Sequence, residues 1–127
     1  MNSNITISLF GNPNAGKTAI FNLLTGLNQK VSNYPGITVE KKVSQFNLKN
    51  HVKVRIEDYP GAYSLSPQSL DEQIVFDSCL SWFDNSLKPD AIVYVLDSSN
   101  LRRNLFFLSQ LSAFKIPIIL LCNMSDL

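Results

Sequence analysis

At 127 residues the chain is one domain's worth, and its 45% apolar content is that of a globular protein, too rich for a disordered tail. With 11 basic and 10 acidic residues, a formal net charge of +1 and no basic run, it lacks the clustered cationic face of a dedicated nucleic-acid binder. The apolar run Ile116 to Cys122 is far short of the roughly 20 residues a membrane span needs, and no secretory apolar block opens the chain.

Neither Cys79 nor Cys122 belongs to a CxxC pair, so the expectation is a cytosolic domain with two reduced thiols in its core.

In chain order, β-branching and alternation mark Ile5 to Phe10 as a first strand that runs into a turn at Gly11. Beyond Lys17, Ile20, Phe21, Leu23, Leu24 and Leu27 recur at spacings of three and four, which predicts a helix ending near Gly26. Asn28 to Thr38 is polar, contains Pro35-Gly36 and reads as a loop. Val39 to Leu48 and Val52 to Glu57 form a hairpin around Lys49-Asn50, with His51 solvated in its turn. Asp58 to Ser69 is a second loop. Asp71 to Phe83 is helical, with Ile74, Val75, Cys79 and Trp82 inward. Ala91 to Leu96 is almost wholly apolar, as in a strand covered on both faces; Arg103 to Phe114 is a helix and Ile118 to Cys122 another buried strand. The order β-α-β-β-α-β-α-β predicts an α/β fold with a mostly parallel sheet and one antiparallel edge hairpin, binding ligands beyond the carboxyl ends of its strands.

Gly11-Asn12-Pro13-Asn14-Ala15-Gly16-Lys17-Thr18 fits the P-loop pattern GxxxxGK[ST], and lies between a predicted strand and a predicted helix. Glycines let the backbone curl so that successive N–H groups face phosphates, and the helix N-terminus adds its dipole. Lys17 is expected to reach the β- and γ-phosphates, and the Thr18 hydroxyl to ligate magnesium, with Ala19 next in the lining. An incidental glycine-rich turn is the bland alternative.

A P-loop alone leaves kinases, ATPases and GTPases open. Asp58-Tyr59-Pro60-Gly61 follows the third strand as a DxxG motif, with Asp58 expected to hold magnesium through water and the Gly61 N–H to face a γ-phosphate. Thr38, beside Gly36 and Ile37, lies where a GTPase's first switch closes over magnesium with a threonine hydroxyl. Asn123-Met124-Ser125-Asp126 fits NxxD: Asp126 can accept from both N1–H and the N2 amino group of guanine, Asn123 braces the base and Met124 packs on it. Adenine lacks that donor pair, and a buried unpaired carboxylate is costly, so the pattern selects GTP and GDP over ATP.

Between the motifs the chain resembles one GTPase family. The P-loop with Phe21-Asn22 looks like the TRAFAC-class bacterial GTPases. The stretches Asn33 to Glu40, Asp58 to Pro67, Asp71-Glu72-Gln73, Asn100 to Leu105 and the Asn-Met-x-Asp motif resemble the FeoB ferrous iron transporters in particular. The resemblance implies a P-loop NTPase of the Ras-like G-domain type over residues 1–127. It also implies a last helix and strand with a Ser-Ala guanine loop, then a helical regulatory domain and a membrane domain, none of which is present. A chain stopping at Leu127 is accordingly read as a fragment or the product of a shortened gene, incomplete at the C-terminus.

The expected setting is the cytosolic face of the bacterial inner membrane. Expected partners are guanine nucleotide and those downstream domains, not nucleic acid, with homo-oligomerisation left open.

Ala62 and Tyr63 stand where many GTPases have a water-orienting glutamine, and none of the three arginines, Arg55, Arg102 and Arg103, lies in a switch loop. Hydrolysis is therefore expected on the slow, ~10⁻³ s⁻¹ scale of unassisted GTPases. The resemblance implies potassium in the arginine's place, held by Asn14 and by the carbonyls of Ser32 and Tyr34. The implied catalytic set is thus Asn14, Lys17, Thr38 and Gly61. Rival readings are an RNA-associated GTPase of ribosome assembly or tRNA modification, and a non-hydrolysing interaction module switched by nucleotide.

Overall fold

The computed structural model describes residues 3–12, 16–26 and 29–123. Strands β1 (Ser3–Gly11), β2 (Lys30–Asn33), β3 (Glu40–Asn47), β4 (Val52–Asp58), β5 (Ala91–Asp97) and β6 (Ile118–Asn123) form one sheet in the order β2-β3-β4-β1-β5-β6. Helices α1 (Lys17–Thr25), α2 (Leu70–Ser81) and α3 (Leu101–Ser112) connect them. The four strands from β4 to β6 run parallel, whereas β2–β3 and β3–β4 are antiparallel.

The central strands are apolar because both faces are covered. Along β5, Ile92, Tyr94 and Leu96 enter a core with Phe10, Val75, Trp82, Phe107 and Leu111, on the α2 and α3 side. Val93 and Val95 turn the other way, onto Leu9, Phe21, Val54 and Ile56 beside α1. Ile74, Val75, Cys79 and Trp82 are buried as expected from their spacing. Gly26 caps α1 at φ 62, with its N–H donating to the Asn22 carbonyl, as the glycine signal predicted.

Three expectations need correction. The segment read as a loop from Asn28 to Thr38 contains β2, so the series gains a strand and the antiparallel part is three strands wide. All four β2 residues are exposed, so the strand exists through backbone pairing with β3 and leaves no apolar alternation to read. Strand β6 is not buried: Ile119 and Leu120 are each 52% exposed and Cys122 is exposed, because β6 is an edge where only Ile118 and Leu121 reach the two cores. Cys122 is thus no core thiol, while Cys79 is. Helix α1 forms where the spacing predicted it and lays a single narrow face on the sheet, with Phe21 wholly buried while Leu23 is 82% exposed and Leu24 is also exposed. Leu27 lies outside the described residues.

Candidate nucleotide-binding site

Strand β1 delivers the glycine-rich loop to the carboxyl edge of the sheet. Gly11 passes so close to β5 that a Cβ there would lie 3.1 Å from the Val95 carbonyl oxygen. Gly16 takes φ 85 immediately before α1, a conformation that costs a side chain but lets the backbone turn into the helix. The next residue, Lys17, buries its ammonium against the Asp58 carboxylate from the end of β4.

Around this pair lies an open cleft of about 440 Å³ that brings together Lys17, Thr18, Thr38, Asp58 and Gly61. These residues come from three separate stretches of sequence, and each was expected at a phosphate and magnesium site. Their hydroxyl and carboxylate oxygens, with one lysine, are the donor set that suits magnesium and phosphate. A second hollow of about 460 Å³ sits elsewhere, on the open face of the antiparallel strands among Lys30, Lys41 and Arg55, and shares no lining residue with the cleft.

The loop before β3 is moored by its tyrosine. The Tyr34 ring is buried, its hydroxyl donates to Glu57 at 3.5 Å, and the Lys41 ammonium sits 5.7 Å from the ring centroid. Burial and the Glu57 carboxylate push the Tyr34 phenol well above its ordinary range. Its N–H donates to the Val39 carbonyl at 3.0 Å, and its own carbonyl accepts from Ile37 N–H at 3.2 Å. Gly36, at φ 75, makes that turn. Thr38 is left exposed at the cleft. Ser32 lies in β2, in register with Lys41.

The loop after β4 is held at several points. Tyr59 stacks on Phe10 with centroids 4.5 Å apart, and its N–H donates to the Leu9 carbonyl at 3.1 Å. Ala62 N–H donates to the Gly11 carbonyl at 3.1 Å. Glu72, buried in the first turn of α2, accepts from Tyr63 N–H at 2.9 Å and Gln68 N–H at 3.0 Å. Between these anchors Gly61 lines the cleft, and its N–H has no hydrogen-bond partner among the described residues.

Other expected residues fall less simply. The Asn12 side chain is buried, with its Oδ1 accepting from the Tyr94 hydroxyl at 3.4 Å, so it turns into the core and leaves only backbone to face a ligand. Thr18 and Ala19 are exposed at the start of α1. Asn123 ends β6 in register with Asp97. Pro13, Asn14, Ala15, Met124 and Asp126 lie outside the described residues.

Reading the sequence missed Glu40, Lys42 and Asp71, which also line the cleft, and the role of Glu72 as a loop acceptor. Only the last left a signal. Ser69-Leu70-Asp71-Glu72 is a capping-box pattern, and here Ser69 Oγ accepts from Glu72 N–H at 3.2 Å while the carboxylate reaches past the cap to the loop.

A family model described as ferrous iron transport protein B matches residues 5–127. The Fe(2+) transporter FeoB of Escherichia coli (strain K12) is 46% identical over 127 residues, which cover 97% of this chain and 16% of that protein. The Fe(2+) transporter FeoB of Salmonella typhimurium gives the same figures of 46%, 97% and 16%. The chain thus spans about 16% of the length of the curated relatives it matches.

Among solved structures, the G domain of T. maritima FeoB superposes with a TM-score of 0.83 at 38% identity, covering 94% of this chain and 71% of that one. The cytosolic domain of L. pneumophila FeoB has a TM-score of 0.83 at 44% identity, covering 94% and 45%. A GDP-bound mutant of the S. thermophilus FeoB G-domain has a TM-score of 0.78 at 45% identity, covering 94% and 44%. No helix among the described residues is long and apolar enough to cross a membrane. By the reach of the family model and the agreement in sequence and fold, this chain belongs to the ferrous iron transport protein B (FeoB) family and has the fold of its G domain.

Proposed function

We propose that residues 1–127 are a guanine-nucleotide domain that binds GTP and GDP with magnesium, hydrolyses GTP slowly and is stimulated by potassium. In this reading it is the regulatory G domain of a ferrous iron transporter, at the cytosolic face of the bacterial inner membrane. It works with downstream helical and membrane domains; nucleic acid is not part of the reading, and homo-oligomerisation stays open. The observation that carries it is the meeting of Lys17 and Asp58 in a cleft shared with Thr18, Thr38 and Gly61. The GDP-bound state of the S. thermophilus relative supports it.

Lys17 carries the charge for the β- and γ-phosphates, and to do so its ammonium leaves Asp58. Thr18, Thr38 and Asp58 would hold magnesium, which when bound neutralises charge on the phosphate oxygens. The Gly61 N–H serves the γ-phosphate, and Asn123, Met124 and Asp126 serve the guanine. With Ala62 and Tyr63 after Gly61, no glutamine orients water, which accounts for slow turnover. Asn14 with the carbonyls of Ser32 and Tyr34 would hold potassium. The Tyr34 carbonyl already accepts from Ile37 N–H, which leaves it one lone pair for a cation, and Ser32 lies in β2.

Titration calorimetry tests the binding. Lys17→Ala should weaken GTP binding at least tenfold, about 1.4 kcal/mol, with circular dichroism unchanged. Unaltered affinity would remove the phosphate site. Hydrolysis compared in potassium and sodium chloride at equal ionic strength tests the rest. A faster rate in potassium, abolished by Asn14→Ala, is expected, and equal rates would refute the potassium role. No turnover in either salt, from a chain that binds GTP, would leave a nucleotide-switched interaction module.

A further inference from the structure

We propose that Arg103 and Gln110 of α3 are positioning residues that hold Gly61 at the nucleotide cleft through the loop that follows it. The proposal rests on the nucleotide-binding reading above and adds a device to it.

Arg103 and Gln110 are seven residues apart, two turns of one helix, so they lie on the same face. Beside them on the helix, Phe107 and Leu111 are both wholly buried in the core. Asn104, also wholly buried, fastens the first turn to the end of β5, accepting from Asp97 N–H at 3.2 Å and donating to its carbonyl at 3.3 Å. The helix is therefore a fixed support.

The Arg103 and Gln110 side chains both reach the loop after Gly61. The Arg103 guanidinium lies over the Tyr63 ring, 4.7 Å from its centroid. Gln110 Oε1 accepts from Leu65 N–H at 2.8 Å, and Leu65 packs against the core.

What these contacts restrain follows from the hydrogen bonds. Ala62 N–H is taken by Gly11, Tyr63 N–H by Glu72 and Leu65 N–H by Gln110, while Gly61 lines the cleft and its N–H has no partner among the described residues. A donor held by anchored neighbours and left unclaimed is organised in advance for an anion. In the proposed site that anion is the γ-phosphate, which GDP lacks. A latch that raises the fraction of molecules with Gly61 facing the cleft should therefore raise affinity for a nucleoside triphosphate and leave the diphosphate unaffected.

This difference is the test. The chain is titrated in magnesium with GDP and with a non-hydrolysable GTP analogue. An exposed guanidinium–ring contact and a single amide hydrogen bond each shift an equilibrium severalfold, so Arg103→Ala and Gln110→Leu should each lower the preference for the analogue about fivefold. Affinity for GDP should not change. Arg103→Lys keeps a cation over the ring and Gln110→Glu keeps an acceptor, so both should retain most of the preference. Tyr63→Leu tests the Arg103 contact from the loop side and should match Arg103→Ala. An unchanged preference in Arg103→Ala and Gln110→Leu, with the parent chain binding both nucleotides, overturns the latch alone. A parallel loss of GDP and analogue affinity also overturns it, since that marks general loosening. If the parent chain binds neither nucleotide, the proposed function fails and the latch fails with it.

Discussion

Lys17 and Asp58 are 41 positions apart and form a buried ion pair with side chains 10% and 5% exposed. Removing one member of such a pair strands the other, at about 3–5 kcal/mol in typical proteins. That cost measures the stranded charge rather than the net worth of the pair, but a Lys17 ammonium held by Asp58 competes with ligand. Asp58→Asn keeps the shape and drops the charge, so Lys17 no longer has to leave a carboxylate to meet a phosphate. In EDTA this variant should bind GDP about fivefold more tightly than the parent, since the competing contact is gone. In excess magnesium it should bind more weakly, because a hard cation loses its carboxylate. Calorimetry in the two buffers checks both signs, and equal affinities in EDTA would mean that the pair is no obstacle to binding.

Helix α2 shows how one element serves both stability and the site. Ser69 caps it through Glu72 N–H, Asp71 and Glu72 sit in the first turn where the helix dipole favours acids, and the Glu72 carboxylate also holds the loop below the cleft. Loss of an N-cap hydroxyl typically costs about 1 kcal/mol. Ser69→Ala should therefore lower Tm by roughly 4 °C, the shift such a loss produces in a domain of this size. Since Glu72 remains, the GTP preference should be untouched, and calorimetric melting beside nucleotide titration separates the two effects. At the other side of the sheet, β2 pairs with β3 through the backbone and every one of its residues is exposed, so little buried side-chain surface holds it in place.

At the scale of the molecule, the core holds several weak acids in neutral form. Burial pushes the Cys79 thiol from its ordinary 9.0 up to about 12, and raises Tyr34, Tyr59 and Tyr94 well above the usual phenol value. Below about pH 8 both the folded and the unfolded chain keep these protons and no stability depends on them. Above it the unfolded chain releases protons that the folded chain retains, so the folded state binds more protons and stability falls as pH rises. Urea midpoints should be level up to about pH 8 and then decline steadily toward pH 12. A level profile through pH 11 would contradict the burial of these groups.

What the chain's order determined by itself was the local chemistry. Gly11, Gly16, Lys17, Thr18, Asp58 and Gly61 were legible as a candidate site because the P-loop and DxxG patterns fix particular residues at set spacing next to a strand end, and the structure gathers the last four of these in one cleft. The helices and central strands were legible because burial imposes a period of 3.6 or an unbroken apolar run. Tertiary structure alone decided the rest. Strand β2 owes nothing to a side-chain pattern, and the exposure of Cys122 depends on β6 being an edge. Tyr34 found Glu57, and Arg103 and Gln110 found the loop after Gly61, across distances in sequence that no local period encodes. Such contacts are set by how layers stack, and a stack is specified by the whole core rather than by any one segment.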